Sequence, residues 1–348
     1  MGRSAYLLLE NGKKFKGKMF GTHESVTGEV VFTTTMTGYM EALTDPTYYG
    51  QIVVGTFPSF GNCGVITSDF ESPGSHLKAY IVKEWCHKPS NFRCESAIDA
   101  FFVEHGIVGL YGVDTRGLTK ELRESGTMNG RIVLDDNFDI ADIKNYKIEN
   151  AVKSVTCSET AVIKTEEASK TVVVYDFGVK NSHIDALTVR SCTVIKVPAA
   201  TTAGQVMQLK PDGVILSGGP GDPTDNAAVI DEITTLCENK IPTFGIGLGH
   251  QILALANGAQ TDKLRCGHRG SNIPVRDLQS KLITITKQNH SYVVDIETLG
   301  DFADISHENV YDGTCEGIKY RNIPAFSVQF NPTDEIFDKF IDLMMEDR

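Results

Sequence analysis

Residues 244–251 read Phe-Gly-Ile-Gly-Leu-Gly-His-Gln, standing where a buried strand should turn sharply into a helix. That is the setting of a nucleophile elbow. In such an elbow the central residue is held in a strained backbone conformation that projects its side chain above the sheet, and small neighbours let strand and helix approach. Gly245 and Gly249 supply the small neighbours. Position 247 is then the place for a nucleophile, most usefully a cysteine whose thiolate is favoured by the helix N-terminus. It is occupied by Gly247. Glycine tolerates positive φ without steric cost, so the turn is expected to survive the loss of the side chain. Geometry is kept and chemistry is removed.

A second loop, Ser217-Gly218-Gly219-Pro220-Gly221-Asp222-Pro223, follows another expected strand end and offers backbone N–H groups with no side chains in the way. It suits an oxyanion hole in which Gly219 joins Leu248 as a backbone donor, or, more plainly, a tight turn. No Gly-Lys-Ser/Thr and no Gly-x-Gly-x-x-Gly follows at either site, which argues against a phosphate loop. Cys266-Gly267-His268, with His290 further on, invites a relocated nucleophile and base or a metal site. Zinc wants four ligands at recognisable spacing and only a loose trio is visible, so no metal is expected; Cys266 reads as a packed thiol. His250 is expected to open the helix or pack.

The elements that would position these groups alternate. Strands at 171–175, 192–197, 213–216 and 242–246 are interleaved with helices at 182–189, 203–209 and 227–237 and with one after Gly249, and an amphipathic helix closes the chain at 335–345. This predicts an α/β fold with a mainly parallel sheet flanked by helices over residues 170–348. Residues 151–169, rich in Thr, Ser, Glu, Lys and Ala without sustained period, read as a linker. Residues 1–150 read as a separate mixed α and β domain. It opens with a hairpin at Asn11-Gly12 and a second strand at 14–19, continues through a β-rich run at 29–35, and carries a helix at 118–124. Asp114 or Thr115 is that helix's candidate N-cap and Gly126 its stop.

A chain of 348 residues accommodates two such domains, and its formal net charge of −12 argues against a broad nucleic-acid surface. The eight cysteines form no Cys-x-x-Cys pair or regular framework and read as reduced thiols. The apolar stretch at 5–9 is too short for a secretory core or a membrane span, so a cytoplasmic protein is expected, with no membrane partner.

These motifs resemble one family across nearly the whole chain. Tyr175-Asp176-Phe177-Gly178, residues 217–223 and 245–251, Gly267-His268, Gln288-Asn289-His290 and residues 326–332 resemble the class I glutamine amidotransferase domain of the carbamoyl phosphate synthetase small subunit. Gly28-Glu29-Val30-Val31-Phe32, Met36-Thr37-Gly38-Tyr39, Leu43-Thr44-Asp45-Pro46, Ser90-Asn91-Phe92-Arg93 and Asp114-Thr115-Arg116 resemble its N-terminal domain. The resemblance implies a Cys-His-Glu triad at positions 247, 331 and 333, which here hold Gly247, Asn331 and Thr333. A relay of that kind needs a thiolate, an imidazole titrating near neutrality and a carboxylate, and none is present. Of the positions the resemblance assigns to glutamine, Gly219, Gly221, Leu248, Gln251 and Asn289 match, while Thr47, Ser291 and Tyr292 replace Ser, Gly and Phe. Weakened glutamine binding is the expected consequence, and Gln251 reads equally as a helix residue paired with its neighbours.

The resemblance further implies a large synthetase subunit as partner, carrying ATP and its metal ion, with no cofactor in this chain. Carbamoyl phosphate for arginine and pyrimidine synthesis would be the product. The leading expectation is a structural or regulatory subunit of a complex that draws on free ammonia. The alternatives are a stand-alone, non-catalytic glutamine-binding sensor, or residual glutaminase activity through another nucleophile such as Cys266.

Overall fold

The computed structural model describes residues 2–134 and 140–346. The chain divides into two compact units, Met1–Glu149 with Arg265–Ser271, and Asn150–Leu264 with Asn272–Arg348.

The first unit runs β1 (Ser4–Leu9), β2 (Lys14–Gly21), β3 (Val26–Thr33), α1 (Tyr39–Leu43), β4 (Gln51–Gly55), β5 (Ser59–Phe60), β6 (Ala79–Ile81), β7 (Glu84–Trp85), α2 (Ile98–Glu104), β8 (Val108–Tyr111), α3 (Thr115–Ser125), β9 (Met128–Val133) and α4 (Ile140–Lys144). The hairpin expected at Asn11-Gly12 is present, with Gly12 at φ 87°. What the sequence reading missed is closure: β1-β2-β8-β6-β4-β3-β9 form a closed barrel, with β1 paired antiparallel to β9. Alternation shows how its wall is packed. Val30, Ile52, Val54, Ala79 and Ile81 share the core cluster that also holds Leu7 and Leu110, while their chain neighbours Val31, Val53 and Tyr80 fall in another cluster with Phe60 and Phe102. Successive strand side chains point to opposite faces, so both surfaces of this wall are buried. The helix expected at 118–124 extends a turn further back, because Asp114 accepts from Gly117 N at 3.0 Å as its N-cap and Gly126, at φ 93°, ends it.

The second unit runs α5 (Ala151–Val155), β10 (Ala161–Ile163), β11 (Lys170–Asp176), α6 (Asn181–Thr188), β12 (Cys192–Pro198), α7 (Ala203–Gln208), β13 (Gly213–Leu216), α8 (Ala227–Glu238), β14 (Thr243–Ile246), α9 (Leu248–Ala256), β15 (Thr261–Asp277), β16 (Ile283–Val294), β17 (Ala303–Asn309), β18 (Cys315–Tyr320), β19 (Ala325–Val328) and α10 (Asp334–Leu343). Four parallel strands, β12-β11-β13-β14, follow the alternation read from the sequence. β19 joins them in parallel, and with β18, β17, β15 and β16 beyond it and β10 at the other edge it forms the part of the ten-stranded sheet the alternation did not foreshadow. Val173, Tyr175, Val214 and Leu216 pack with α7, α8 and α9 residues such as Val206, Ile233 and Ile252. Val172, Val174, Ile215 and Phe244 pack on the other face with Leu187 of α6 and Phe337 and Phe340 of α10. Helices therefore cover both faces, as a mainly parallel sheet requires.

The stretch 151–169, read as a linker, is corrected: α5 and β10 lie within it, β10 pairs antiparallel with β12, and Ala151 and Val152 are buried. Among the described residues no helix is long and apolar enough to cross a membrane.

Candidate active site

β14 ends at Ile246 and α9 begins at Leu248, leaving Gly247 alone to make the turn at φ 55°, ψ −111°. L-residues rarely adopt that backbone, and holding one there costs about 1–3 kcal/mol. Gly247 is anchored on both sides, its N–H donating to Val328 O at 2.9 Å and its carbonyl accepting from Gln251 N at 3.2 Å. The neighbouring glycines are sterically required. A Cβ on Gly245 would lie 2.7 Å from Gly249 O, and one on Gly249 would lie 2.1 Å from Leu216 O. At Gly247 the reverse holds, since a Cβ there would meet only Gly218 Cα at 3.5 Å and Gln329 O at 3.9 Å. The elbow keeps its backbone and its space, without the side chain.

The glycine loop after β13 is fixed against it. Gly249 N donates to Ser217 O at 3.0 Å, and Ser217 Oγ accepts from Phe177 N at 2.9 Å and donates to Gly218 O at 2.9 Å. Asp222 caps the short turn Pro223–Asn226 by accepting from Thr224 N at 2.9 Å. A Cβ on Gly219 would lie 2.2 Å from Phe177 O and 2.9 Å from Leu248 Cδ2, so this position adjoins the elbow and admits only glycine. Gly221, at φ 90°, faces Ala151. Among the described residues, neither Gly219 N–H nor Leu248 N–H, the latter in the first position of α9, donates to another group. These are the two backbone donors that the sequence analysis names for an oxyanion hole.

Beyond β19 the chain reaches Asn331 and Thr333. Asn331 N donates to Lys287 O at 2.9 Å, and its Oδ1 lies 2.8 Å from His183 Nε2, which as the partner of an acceptor must carry the proton. His183, on α6 and 4% exposed, was not singled out by the sequence reading, and 148 residues separate it from Asn331. Thr333 stands at the N-cap position of α10 without a side-chain cap bond and is exposed. Gly247 follows β14, and Asn331 and Thr333 follow its parallel neighbour β19; none of the three carries a thiol, an imidazole or a carboxylate.

Of the other singled-out positions, Gly219, Gly221, Leu248, Gln251, Asn289, Ser291 and Tyr292 lie in the second unit and Thr47 in the first. Thr47 sits in the turn Pro46–Tyr48 with its hydroxyl on Asp45 Oδ1 at 2.6 Å. Gln251, 3% exposed, donates both amide hydrogens, to Tyr292 O and to Gln329 Oε1, each at 2.8 Å. It is a helix residue whose carboxamide is tied to β16 and to the residue that follows β19. Asn289, Ser291 and Tyr292 are half-buried on β16, and Lys263 Nζ lies 5.8 Å from the Tyr292 ring centroid.

His250 is fully buried, with Nδ1 2.8 Å from Ser327 Oγ, and burial pushes its pKa down to about 3. It is a neutral packed residue. Cys266 is half-buried, its thiol on Leu122 O at 3.4 Å. Burial raises the Cys157 and Cys237 thiols to about 11 and Cys315 to about 12, and raises Cys192 also. Such thiols are poor nucleophiles at neutral pH.

A family model described as the carbamoyl-phosphate synthase small chain, CPSase domain, matches residues 7–132, and one described as glutamine amidotransferase class-I matches residues 173–334. The chain is 45% identical to a carbamoyl phosphate synthase small chain of Clostridium perfringens, over 97% of this chain and 98% of that one. It is 43% identical to the corresponding protein of Fusobacterium nucleatum, over 96% of each. It is 42% identical to a pyrimidine-specific small chain of Bacillus subtilis, over 97% of this chain and 95% of that one. With both domain models matched in order and similarity running nearly end to end, the chain belongs to the carbamoyl phosphate synthase small chain family, with a class I glutamine amidotransferase domain in its second half.

Proposed function

We propose that this chain is a small subunit of carbamoyl phosphate synthase that has lost glutamine hydrolysis and serves as a structural or regulatory subunit of an ammonia-using complex. The observation that carries the reading is the elbow itself. Gly247 holds the turn at φ 55°, ψ −111° and has no side chain with which to attack an amide. Asn331, at the position of the general base, cannot accept a proton at neutral pH, and Thr333 supplies no fixed charge. Losing the nucleophile of a comparable triad costs on the order of 10^6 in rate, about 8 kcal/mol of barrier. Two backbone donors cannot restore that.

The partner in this reading is the large synthetase subunit, which carries ATP and its metal ion and combines them with bicarbonate and ammonia in the cytoplasm. Pyrimidine and arginine synthesis are the pathways such a complex would feed. The test is carbamoyl phosphate formation by the reconstituted pair with ATP and bicarbonate, comparing glutamine with ammonium. Activity with ammonium and none with glutamine is the expected result; turnover of glutamine would overturn the reading.

A further inference from the structure

We infer that the first unit carries an anion-binding site on the exposed face of α3, a hollow whose ligand is a small molecule bearing linked phosphate groups. This goes beyond the proposed function and does not depend on what stands at position 247.

The hollow holds about 660 Å³ and is lined by Thr56, just after β4, and by Arg116, Thr119, Lys120, Arg123 and Glu124 of α3. Its cations follow the helix period. Arg116, Lys120 and Arg123 stand at i, i+4 and i+7, which brings them to one face, and all three are exposed. Elsewhere Arg93, Arg190, Arg276 and Arg321 each meet a carboxylate at ion-pairing distance. Among the described residues no carboxylate does so for Arg116 or Arg123, and the acid in the lining, Glu124, lies 3.7 Å from Lys120. Three cations thus share a hollow with one carboxylate, in a chain of net charge −12. Like charges on one helix face destabilise each other. Beyond the N-cap Asp114, α3 has no acid in its first turn, where Arg116 sits against the positive end of the helix. A bound anion relieves both costs.

The lining also selects the anion. The Thr119 hydroxyl donates to Thr115 O at 2.7 Å and the Thr56 hydroxyl to Thr33 O at 2.9 Å, so the donors left for a ligand are those of the three cations. Guanidinium forks match the paired oxygens of phosphate, and a lysine adds a point charge beside them. Arg116 and Arg123 are separated by about 10 Å of helix rise, more than a single phosphate spans, which calls for two or three phosphates in a chain. The volume falls in the range of about 300–1,000 Å³ common to small-molecule sites, so a compact ligand suits it better than an extended protein segment.

Calorimetry on the full chain with tripolyphosphate and inorganic phosphate as separate probes tests this. Saturable one-site binding of tripolyphosphate is expected, at least about tenfold tighter than phosphate, because charge-assisted contacts accumulate along the ligand. Arg116→Gln and Arg123→Gln should each weaken it about tenfold. Lys88→Gln, exposed in the same unit but outside the hollow, should leave it unchanged. Thermal midpoints check that the variants fold. Amide NMR of the unaltered chain gives a reading that needs no variant, since tripolyphosphate must shift N–H resonances of α3 between Arg116 and Glu124. No saturation at millimolar tripolyphosphate, equal affinity for phosphate, or a loss in Lys88→Gln as large as in the arginine variants would overturn the inference. So would shifts confined to other residues, or tighter binding of an octaglutamate peptide.

Discussion

If the elbow is intact and only its chemistry is missing, putting the chemistry back should restore turnover, but only as a unit. The perturbation is Gly247→Cys with Asn331→His and Thr333→Glu, made singly, in pairs and together. At position 247 a Cβ meets nothing nearer than 3.5 Å, so the cost is backbone strain at φ 55°, about 1–3 kcal/mol of stability, and not a clash. Asn331→His must give up the 2.8 Å contact with His183, which costs about 1 kcal/mol. The new thiol would sit at the N-terminus of α9 beside Gly219 and Leu248 N–H, which favours its thiolate. Because a nucleophile and its base act together, Gly247→Cys alone should stay within about tenfold of background, and the triple variant should exceed it by roughly 10^3-fold or more. Ammonia release from glutamine, coupled to a dehydrogenase readout, measures this, with trapping of the thioester as a second signal. Glutaminase activity in the unaltered chain, or a triple variant that folds and binds glutamine yet stays at background, would refute the argument that the elbow geometry is preserved.

Two further outcomes follow from the packing around the same turn. Gly249→Ala would drive a Cβ to 2.1 Å from the Leu216 carbonyl and should cost about 3 kcal/mol, whereas Gly204→Ala in α7, with open space around its Cβ, should add about 0.5–1 kcal/mol. Urea midpoints of the two variants compare them directly, and equal effects would discount the close approach of β13 and α9. His250 makes stability depend on pH: its folded pKa is depressed to about 3, below the unfolded value near 6.5, so the unfolded chain binds the extra proton. The contribution is complete above pH about 6.5 and is lost as pH falls below it, at about 1.4 kcal/mol per unit, and His250→Asn should remove that share of the slope. His307, pushed the same way by burial, keeps its own share in both proteins, so an unchanged slope in the variant would count against His250.

Much of the site was legible because it is built from local rules. Gly245, Gly247 and Gly249 announce a sharp strand-to-helix turn whatever surrounds them, and the structure places Gly247 at a positive φ where the spacing put it. The alternating strands and helices from Lys170 to Ala256 were likewise readable, since period-2 and helical patterns are set by nearest neighbours. So was the absence of a thiol, an imidazole and a carboxylate from positions 247, 331 and 333.

Other features depend on groups that meet only after the chain has folded. The barrel closes through pairs such as Tyr6 with Val133 and Leu9 with Gly130, and no local pattern names that partner. β10 hid in an apparent linker because Ala161 and Val162 are exposed and a three-residue strand shows no period; pairing with β12 alone makes it a strand. The same holds for His183 against Asn331, and for Gln329, whose Oε1 meets Gln251 of α9 although 78 residues separate the two. Sequence by itself determined which chemistry position 247 lacks, since residue type is local. Tertiary packing alone decided which donors surround the space left behind, because long-range neighbours are chosen by the burial of both sheet faces and not by any spacing along the chain.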